Sequence, residues 1–418
     1  MPNSIVVTPH KMSFITAIGV IGIALSYVYP GYRLSNIPIY VPLLFSLFFV
    51  PYVIRSYSAG KLYIVAASFA IFVALISYNT MIGAFGFRDW VYVTLPFGAI
   101  LATAMVAQVV DGLGLERVVR IAVWGSLINL AVMIAQAVNL FSIVTLLAPV
   151  WENAINFVSY DEYQAQILWD TLSIRPPGFF PTGIFSSTII YISLRAHYAL
   201  YKKYIVFIPI SIAIFLTANR TLAIFFVLFE SYRLISERGF TRFAAVVALV
   251  GFSAAISLFI LIEFRVNLYV VQFIFDEVLG GGLSQSGSVT GRLNTYDFFV
   301  SVFPKYGLLG GFSSDELAYY GGVFDSEVML RTLQFGIPGT LALAMIALTP
   351  RRPGMTIDWL FLPAIAFAAS LTTTLVTSVI YTVVLAVYRE VVLYRLVPVA
   401  QPDDRRPVDI GPAVAEVP

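Results

Sequence analysis

A chain of 418 residues with 59% hydrophobic and 11% charged side chains, and a mean hydropathy of +0.87, cannot cover a water-facing surface. Its solvent must be largely lipid, so the composition implies a polytopic membrane protein. The net charge of +2 leaves no nucleic-acid footprint. The absence of cysteine excludes disulfides, thiolate chemistry and cysteine metal sites, and the two histidines, His10 and His197, are too few for a histidine-built metal centre.

A span needs about 20 mainly apolar residues. In chain order the candidates lie near 13–29, 36–54, 62–80, 89–110, 118–141, 182–200, 204–218, 221–236, 242–263, 324–347, 357–372 and 374–394. The expected fold is all-α, GT-C-like, with about twelve transmembrane helices in one domain over 1–400. The first candidate follows His10 and Lys11 but lacks a small-residue cleavage site, so it reads as a span and not as a signal peptide. The seventh and eighth are short and separated only by "ANRT". The tail 401–418, rich in proline and polar residues, is expected to be disordered and cytoplasmic.

Lys and Arg in short loops set the orientation. One set of loops holds Arg55 and Lys61; Arg117 and Arg120; Lys202 and Lys203; Arg233, Arg238 and Arg242; and Arg351 and Arg352. The C-terminal region adds Arg389, Arg395, Arg405 and Arg406. Twelve spans put these loops and both termini on one side, the cytoplasmic one. Two long outer segments remain, about 141–181 and 264–324, and long loops are where function concentrates. In the second, "RLNTYDFFVSVF" has the spacing of an amphipathic helix at the outer interface, and "NLYVVQFIFDEVL" reads similarly. Gly307, Gly310 and Gly311 then suggest a flexible turn. No internal repeat supports an inverted-repeat transporter.

Charges near membrane depth are costly and usually have a role. Arg175 in "SIRPPGFFPTG", Arg220 in "FLTANRTLAIFF" and Arg265 sit at outer ends of apolar runs. The plain reading for Arg220 and Arg265 is an arginine snorkelling to lipid phosphates, and for Arg175 an exposed loop residue. Arg292 in "SVTGRLN" opens the proposed interfacial helix, where a helix start and a guanidinium fork favour a phosphate. A surface pair with Asp297 is the plain alternative. Asp325 and Glu327 begin the tenth span on different helix faces, so only one can enter a shared cavity. Arg331 can pair with Glu327 at i,i+4, a structural role.

Four local patterns carry a resemblance: "RPPGFFPTGIFSS", "TANRT", "SVTGRLNTYDFFVSVFPKYGLLGGF" and "DSEVMLRTLQFGIPG". In this order and spacing, over about 170–340, they resemble the O-antigen polymerase and ligase superfamily, the Wzy- and WaaL-type membrane enzymes. Outside that region the match is one of hydropathy alone. Ligases of the superfamily typically place a histidine–asparagine pair where this chain has Asp325–Ser326, and no histidine lies in either outer segment. The departure favours a polymerase of repeat units over a ligase.

The resemblance implies a bacterial inner-membrane glycosyltransferase with its site facing the periplasm. The implied substrate is a polyprenyl-pyrophosphate-linked oligosaccharide, and a chain-length regulator and a flippase are implied partners. Arg175, Arg220, Arg265 and Arg292 would neutralise pyrophosphate, and Tyr296, Tyr319 and Tyr320 would stack on sugars, as Phe298 could. Asp325, with Glu327 in reserve, would act as base. No cofactor or metal is expected. From other classes, a secondary transporter or a flippase for lipid-linked oligosaccharides also fits twelve spans. A site at mid-membrane would favour a transporter, an outward lateral cavity with arginines the enzyme.

Overall fold

The structure, a computed structural model, describes residues 13–28, 32–34, 37–39, 41–137, 140, 178–180, 183–217, 219–241, 287–319, 326–349, 361, 363–366 and 379–396, with scattered helical residues between 244 and 259. At Arg88, Arg220 and 287–293, among others, it gives the backbone alone. The described chain is helical apart from a short antiparallel ribbon, β1 (Tyr32–Leu34) and β2 (Ile37–Ile39), in which Arg33 faces Pro38.

The helices in order are α1 (Phe14–Val28), α2 (Val41–Leu47), α3 (Val53–Ser56), α4 (Ala59–Met81), α5 (Thr94–Leu113), α6 (Leu115–Ala137) and α7 (Gly183–Tyr201). They continue with α8 (Phe207–Thr217), α9 (Arg220–Arg238), α10 (Gly287–Tyr306), α11 (Ser314–Tyr319), α12 (Glu327–Leu348) and α13 (Val379–Leu396). Among the described residues four segments are long and apolar enough to cross a membrane: Ala59–Met81, Asp89–Leu113, Leu115–Ala137 and Glu327–Leu348. That is fewer than the twelve expected. The 11-residue α8 rises only about 16 Å, half of a hydrocarbon core of roughly 30 Å.

The expected span 36–54 is not a single helix. Pro38 lies in β2, Pro42 enters α2 at its second position, and Pro51 falls in a 3₁₀ turn, Val50–Tyr52. Each proline removes a backbone donor, so the run is cut into short pieces. The segments 264–286 and 401–418 lie outside the described residues.

α1, α5, α6, α7 and α13 pack around one core, with α8 against α7, while α4 and α12 pair on the other side of α5. Helices of this kind turn large apolar side chains outward and small or polar ones inward. Tyr63 and Ile71 of α4, Trp124 of α6 and Leu228 of α9 are exposed, whereas Ser26, Ser126, Asn129 and Ser193 are buried. Inside, hydroxyls bond the carbonyl one turn back, as Ser26 does to Gly22 and Ser193 to Ile189, both at 2.9 Å. This inversion fits lipid as the outer medium.

Arg233 and Arg389, expected as cytoplasmic loop cations, are instead buried. Arg233 of α9 is fully enclosed, with its Nε 2.7 Å from Glu230 Oε2, and Arg195 of α7 reaches Glu230 Oε1 at the same distance. The Tyr191 hydroxyl donates to Glu230 Oε1 at 3.0 Å, and both guanidinium groups lie over the Tyr198 ring. Arg389 of α13 donates from Nη1 to the Thr349 carbonyl just past α12, 3.0 Å, and from Nη2 to the Thr103 hydroxyl. A cation at a helix end reads as a loop charge only while nothing across the bundle takes its hydrogen bonds. Here Glu230 of its own helix, shared with Arg195 of α7, takes those of Arg233, and the Thr349 carbonyl and Thr103 hydroxyl across the bundle take those of Arg389. Arg238, Arg242, Arg395, Arg405 and Arg406 still carry the cation bias of those regions.

Candidate functional site

The site begins with a break in α12. Gly336 has φ +69° and ψ 174°, and Pro338 follows two residues later, so the helix changes direction there. The carbonyls and N–H groups released at a break need partners inside a membrane. The turn 307–312 supplies them. Gly311 N–H donates to the Gln334 carbonyl at 2.9 Å, Phe312 N–H to that of Leu333 at 3.2 Å, and Ile337 N–H to that of Gly307 at 2.9 Å. Asn79 Nδ2 of α4 donates to the Leu309 carbonyl at 2.9 Å.

This approach requires glycine on both sides. A Cβ on Gly310, whose φ is +80°, would stand 2.3 Å from the Gln334 oxygen, and one on Gly336 would stand 2.3 Å from the Leu308 oxygen. The turn expected to be flexible is therefore pinned. Below it, Phe298, Phe299 and Val302 of α10 pack on Tyr306, Phe312 and Leu333. The helix expected over this stretch is present, and it is tied to α12.

A polar chain runs beside the break. Ser326 caps α12, accepting from Met329 N–H at 3.4 Å. Arg331 Nε is 3.5 Å from Glu327 Oε1, the expected i,i+4 pair, and Arg331 Nη1 donates to Gln334 Oε1 at 2.7 Å. Gln334 Nε2 donates to the Tyr92 hydroxyl at 2.9 Å, and that hydroxyl lies 2.8 Å from Ser314 Oγ. Ser314 Oγ donates to Asp89 Oδ1 at 2.6 Å, and its backbone N–H to the same oxygen at 3.0 Å. Asp89 Oδ2 takes Gly86 N–H at 2.9 Å. Because Ser314 spends its proton on Asp89, Tyr92 must donate to Ser314, so every bond points from Arg331 toward Asp89. Bonds aligned in this way reinforce one another.

Between α5, α12, residues 363–366 and α13 lies a cavity of about 230 Å³. Leu95, Pro96, Leu343, Ala347 and Pro363 contribute to an almost wholly apolar wall, and Glu327 and Arg331 supply its charges. Thr340 also lines it, but its hydroxyl is spent on the Gly336 carbonyl at 2.9 Å. Glu327 is 2% exposed, so its carboxylate faces this space and its near neighbours and not bulk water.

Two further devices hold the segments that carry the candidate arginines. Gln136 of α6 makes a two-way bond with Gly178, Nε2 to the carbonyl at 3.0 Å and Oε1 from the N–H at 2.8 Å. Asn129 Oδ1, two turns earlier on α6, accepts from Phe179 N–H at 2.8 Å. They fix the chain three residues after Arg175. Asn219 caps α9 by accepting from Leu222 N–H at 3.1 Å, and its Nδ2 donates to Ser187 Oγ of α7 at 3.2 Å. Arg220 is the next residue.

Of the candidate site residues, Glu327 lines the cavity. Arg220 opens α9, whereas Arg292 lies in the second turn of α10 and not at its start as expected, because the helix already begins at Gly287; each is placed by its backbone. Tyr296 and Tyr319 are exposed, 53% and 84%, and are not among the residues that line the cavity. Asp325, Arg175, Arg265 and Tyr320 lie outside the described residues. Asp89, Tyr92, Ser314 and Gln334 were not anticipated. The one signal was a lone carboxylate in "GFRDWVYV", at the mouth of an apolar run.

Fold and cavity together define a helical protein with segments able to cross a membrane and an apolar cavity beside α12 that is lined by two charged side chains. Compared with known proteins, the chain matches no family model, no curated protein and no solved structure.

Proposed function

We propose that the chain is a polysaccharide polymerase of the inner membrane, of the O-antigen or exopolysaccharide type. It transfers a polyprenyl-pyrophosphate-linked glycan onto a lipid-linked repeat unit at the periplasmic face. The observation that carries this reading is the pairing of an apolar cavity with Glu327 and Arg331. A lipid-linked sugar phosphate needs greasy walls for its tail and cations for its phosphate, with a base nearby. The order of the four sequence patterns over 170–340 supports the same substrate class.

In this mechanism an acceptor sugar hydroxyl attacks the anomeric carbon of the donor glycan. The new glycosidic bond forms as the bond from that carbon to the pyrophosphate oxygen breaks, and the polyprenyl pyrophosphate leaves. Arginines stabilise the charge that grows on the leaving group, with Arg175, Arg220 and Arg292 the first candidates. The hydroxyl proton passes to a carboxylate, Glu327 or Asp325. No metal is required by this scheme.

Purified protein supplied with a synthetic polyprenyl-pyrophosphate repeat unit should yield a ladder of glycan lengths on a gel. Glu327→Gln should slow it by roughly 100-fold or more if Glu327 is the base. Folded, monodisperse protein that forms no ladder would refute the proposal. The broken helix α12 gives the transporter reading its one foothold, since transporters bind solutes at such breaks. In this chain the break is occupied by the backbone of 307–312, which weighs against it.

A further inference from the structure

We infer that Arg331 binds the phosphate end of an anionic isoprenoid lipid in the cavity, and that Asp89 positions it through Ser314, Tyr92 and Gln334. The inference rests on the lipid-linked substrate proposed above and names the residues that would discriminate its head group. Arg331 and Glu327 are the two charges of a cavity whose other walls are nearly all apolar, and of the two only Arg331, through its guanidinium, can take a phosphate. Its side chain is 12% exposed, so a phosphate meeting it there would meet little competing water.

At about 230 Å³ the cavity is smaller than the roughly 300–1,000 Å³ of sites that enclose a whole small ligand. It can hold the first part of a tail, and the rest must run out between helices into lipid. That selects an amphiphile over a free sugar or a free phosphate. The guanidinium fork suits phosphate oxygens, provided that its plane is held.

The polar chain supplies that restraint. Ser314 Oγ donates its hydrogen bond to Asp89 Oδ1. Tyr92 then donates to Ser314 and accepts from Gln334 Nε2, which leaves Gln334 Oε1 turned to Arg331 Nη1. Arg331, which can only donate, and Asp89, which accepts, fix the direction of the links from the two ends, and Asp89 anchors the far end without itself lining the cavity. The links come from three separate stretches: the α4–α5 connection, the residues after the pinned turn, and α12. A structural Arg–Glu pair within one helix needs none of them.

The test is binding to the purified full chain in detergent, with farnesyl pyrophosphate, neutral farnesol and inorganic pyrophosphate as probes. Wild type should prefer farnesyl pyrophosphate over each of the others by at least about tenfold. Arg331→Gln should bring its affinity down to near that of farnesol. Arg331→Lys should retain part of the preference, since charge remains and the fork is lost. Asp89→Asn should reduce the preference about three- to tenfold while farnesol binding stays unchanged. Tyr92→Phe, which keeps the ring and cuts both links made by the hydroxyl, should act in the same direction and guards against misfolding of the Asp89 variant.

Equal loss for farnesol and farnesyl pyrophosphate in the Asp89 and Tyr92 variants would show a merely structural network and overturn the positioning role. Unchanged selectivity in Arg331→Gln would overturn the phosphate assignment. Inorganic pyrophosphate binding as tightly as the farnesyl compound would overturn the amphiphile. If wild type shows the expected selectivity but forms no glycan ladder, the binding inference holds and the polymerase reading fails.

Discussion

Glu230 is the point at which the core is most exposed to a single substitution. Its two oxygens hold two fully buried guanidinium groups at 2.7 Å each and accept the Tyr191 hydroxyl at 3.0 Å. Glu230→Ala leaves two cations with no carboxylate in a region that water does not reach. Each charge-assisted bond contributes about 1.5–3 kcal/mol net, and breaking a buried pair by removing one partner costs about 3–5 kcal/mol. The larger figure applies here because one carboxylate serves two arginines. Measured as a thermal midpoint in detergent, the loss should be on the order of 5–10 °C. Replacing all three charges (Arg195→Met, Glu230→Leu and Arg233→Met together) removes the need for compensation and should recover most of that loss. The two arginines also stack on Tyr198, so the recovery should be incomplete. A Glu230→Ala protein within 1 °C of wild type, or a triple variant worse than the single, would refute this account.

The remaining predictions concern the site. Gly310→Ala would push a methyl group into the Gln334 carbonyl at a left-handed backbone position and should cost about 2–4 kcal/mol, read as chemical unfolding in detergent. Gln136→Ala leaves the Gly178 amide and carbonyl buried without their partner and should cost about 1–3 kcal/mol by the same assay. Alanine at Arg175, Arg220 or Arg292 should each lower turnover by about 30- to 1,000-fold, whereas Arg351 and Arg352 should tolerate it. A cysteine at Ser288 in this cysteine-free chain should react with a membrane-impermeant thiol reagent in intact spheroplasts. Under the proposed mechanism, in which arginines neutralise the pyrophosphate, turnover should survive excess chelator.

The parts legible in the sequence were those governed by local spacing. The runs that became α4, α5 and α6 are long and apolar, and the Arg331–Glu327 pair follows from i,i+4 geometry. The helix over "RLNTYDFFVSVF" showed in its periodicity. The parts not legible depend on partners far along the chain. Ser314 meets Asp89 across 225 positions and Gln334 meets Tyr92 across 242, and nothing in either neighbourhood announces the other. Arg389 is enclosed for the same reason, whereas Arg233 has its carboxylate at i,i+3 and what lies far along the chain is the α7 surface, Tyr191 and Arg195, that buries the pair. Counting loop cations treats every arginine near a span end alike, whereas burial is decided by Glu230, Thr349 and Thr103. The run 36–54 differs, because its three prolines stand in the sequence itself and interrupt a helix that hydropathy alone would make continuous.

The interlock of Gly310 and Gly336 bears on what a long segment between apolar helices can do for a membrane site. An interfacial helix attached by a flexible turn would hold Arg292 at no fixed distance from the cavity. Three backbone hydrogen bonds across the break instead make α10, the turn and the first half of α12 one body. Asn79 ties that body to α4, and the Asp89–Ser314 contact ties it to the α4–α5 connection. Glu327 and Arg331 therefore sit on a short helical arm supported on three sides, although they lie where a helix end would ordinarily fray. Backbone bonds give this rigidity without adding polar side chains to the apolar wall, which leaves the two charges as its principal polar features. A site that must take a greasy tail and a charged head needs that separation. Loosening the turn should blur selectivity for the head before it weakens affinity for the tail.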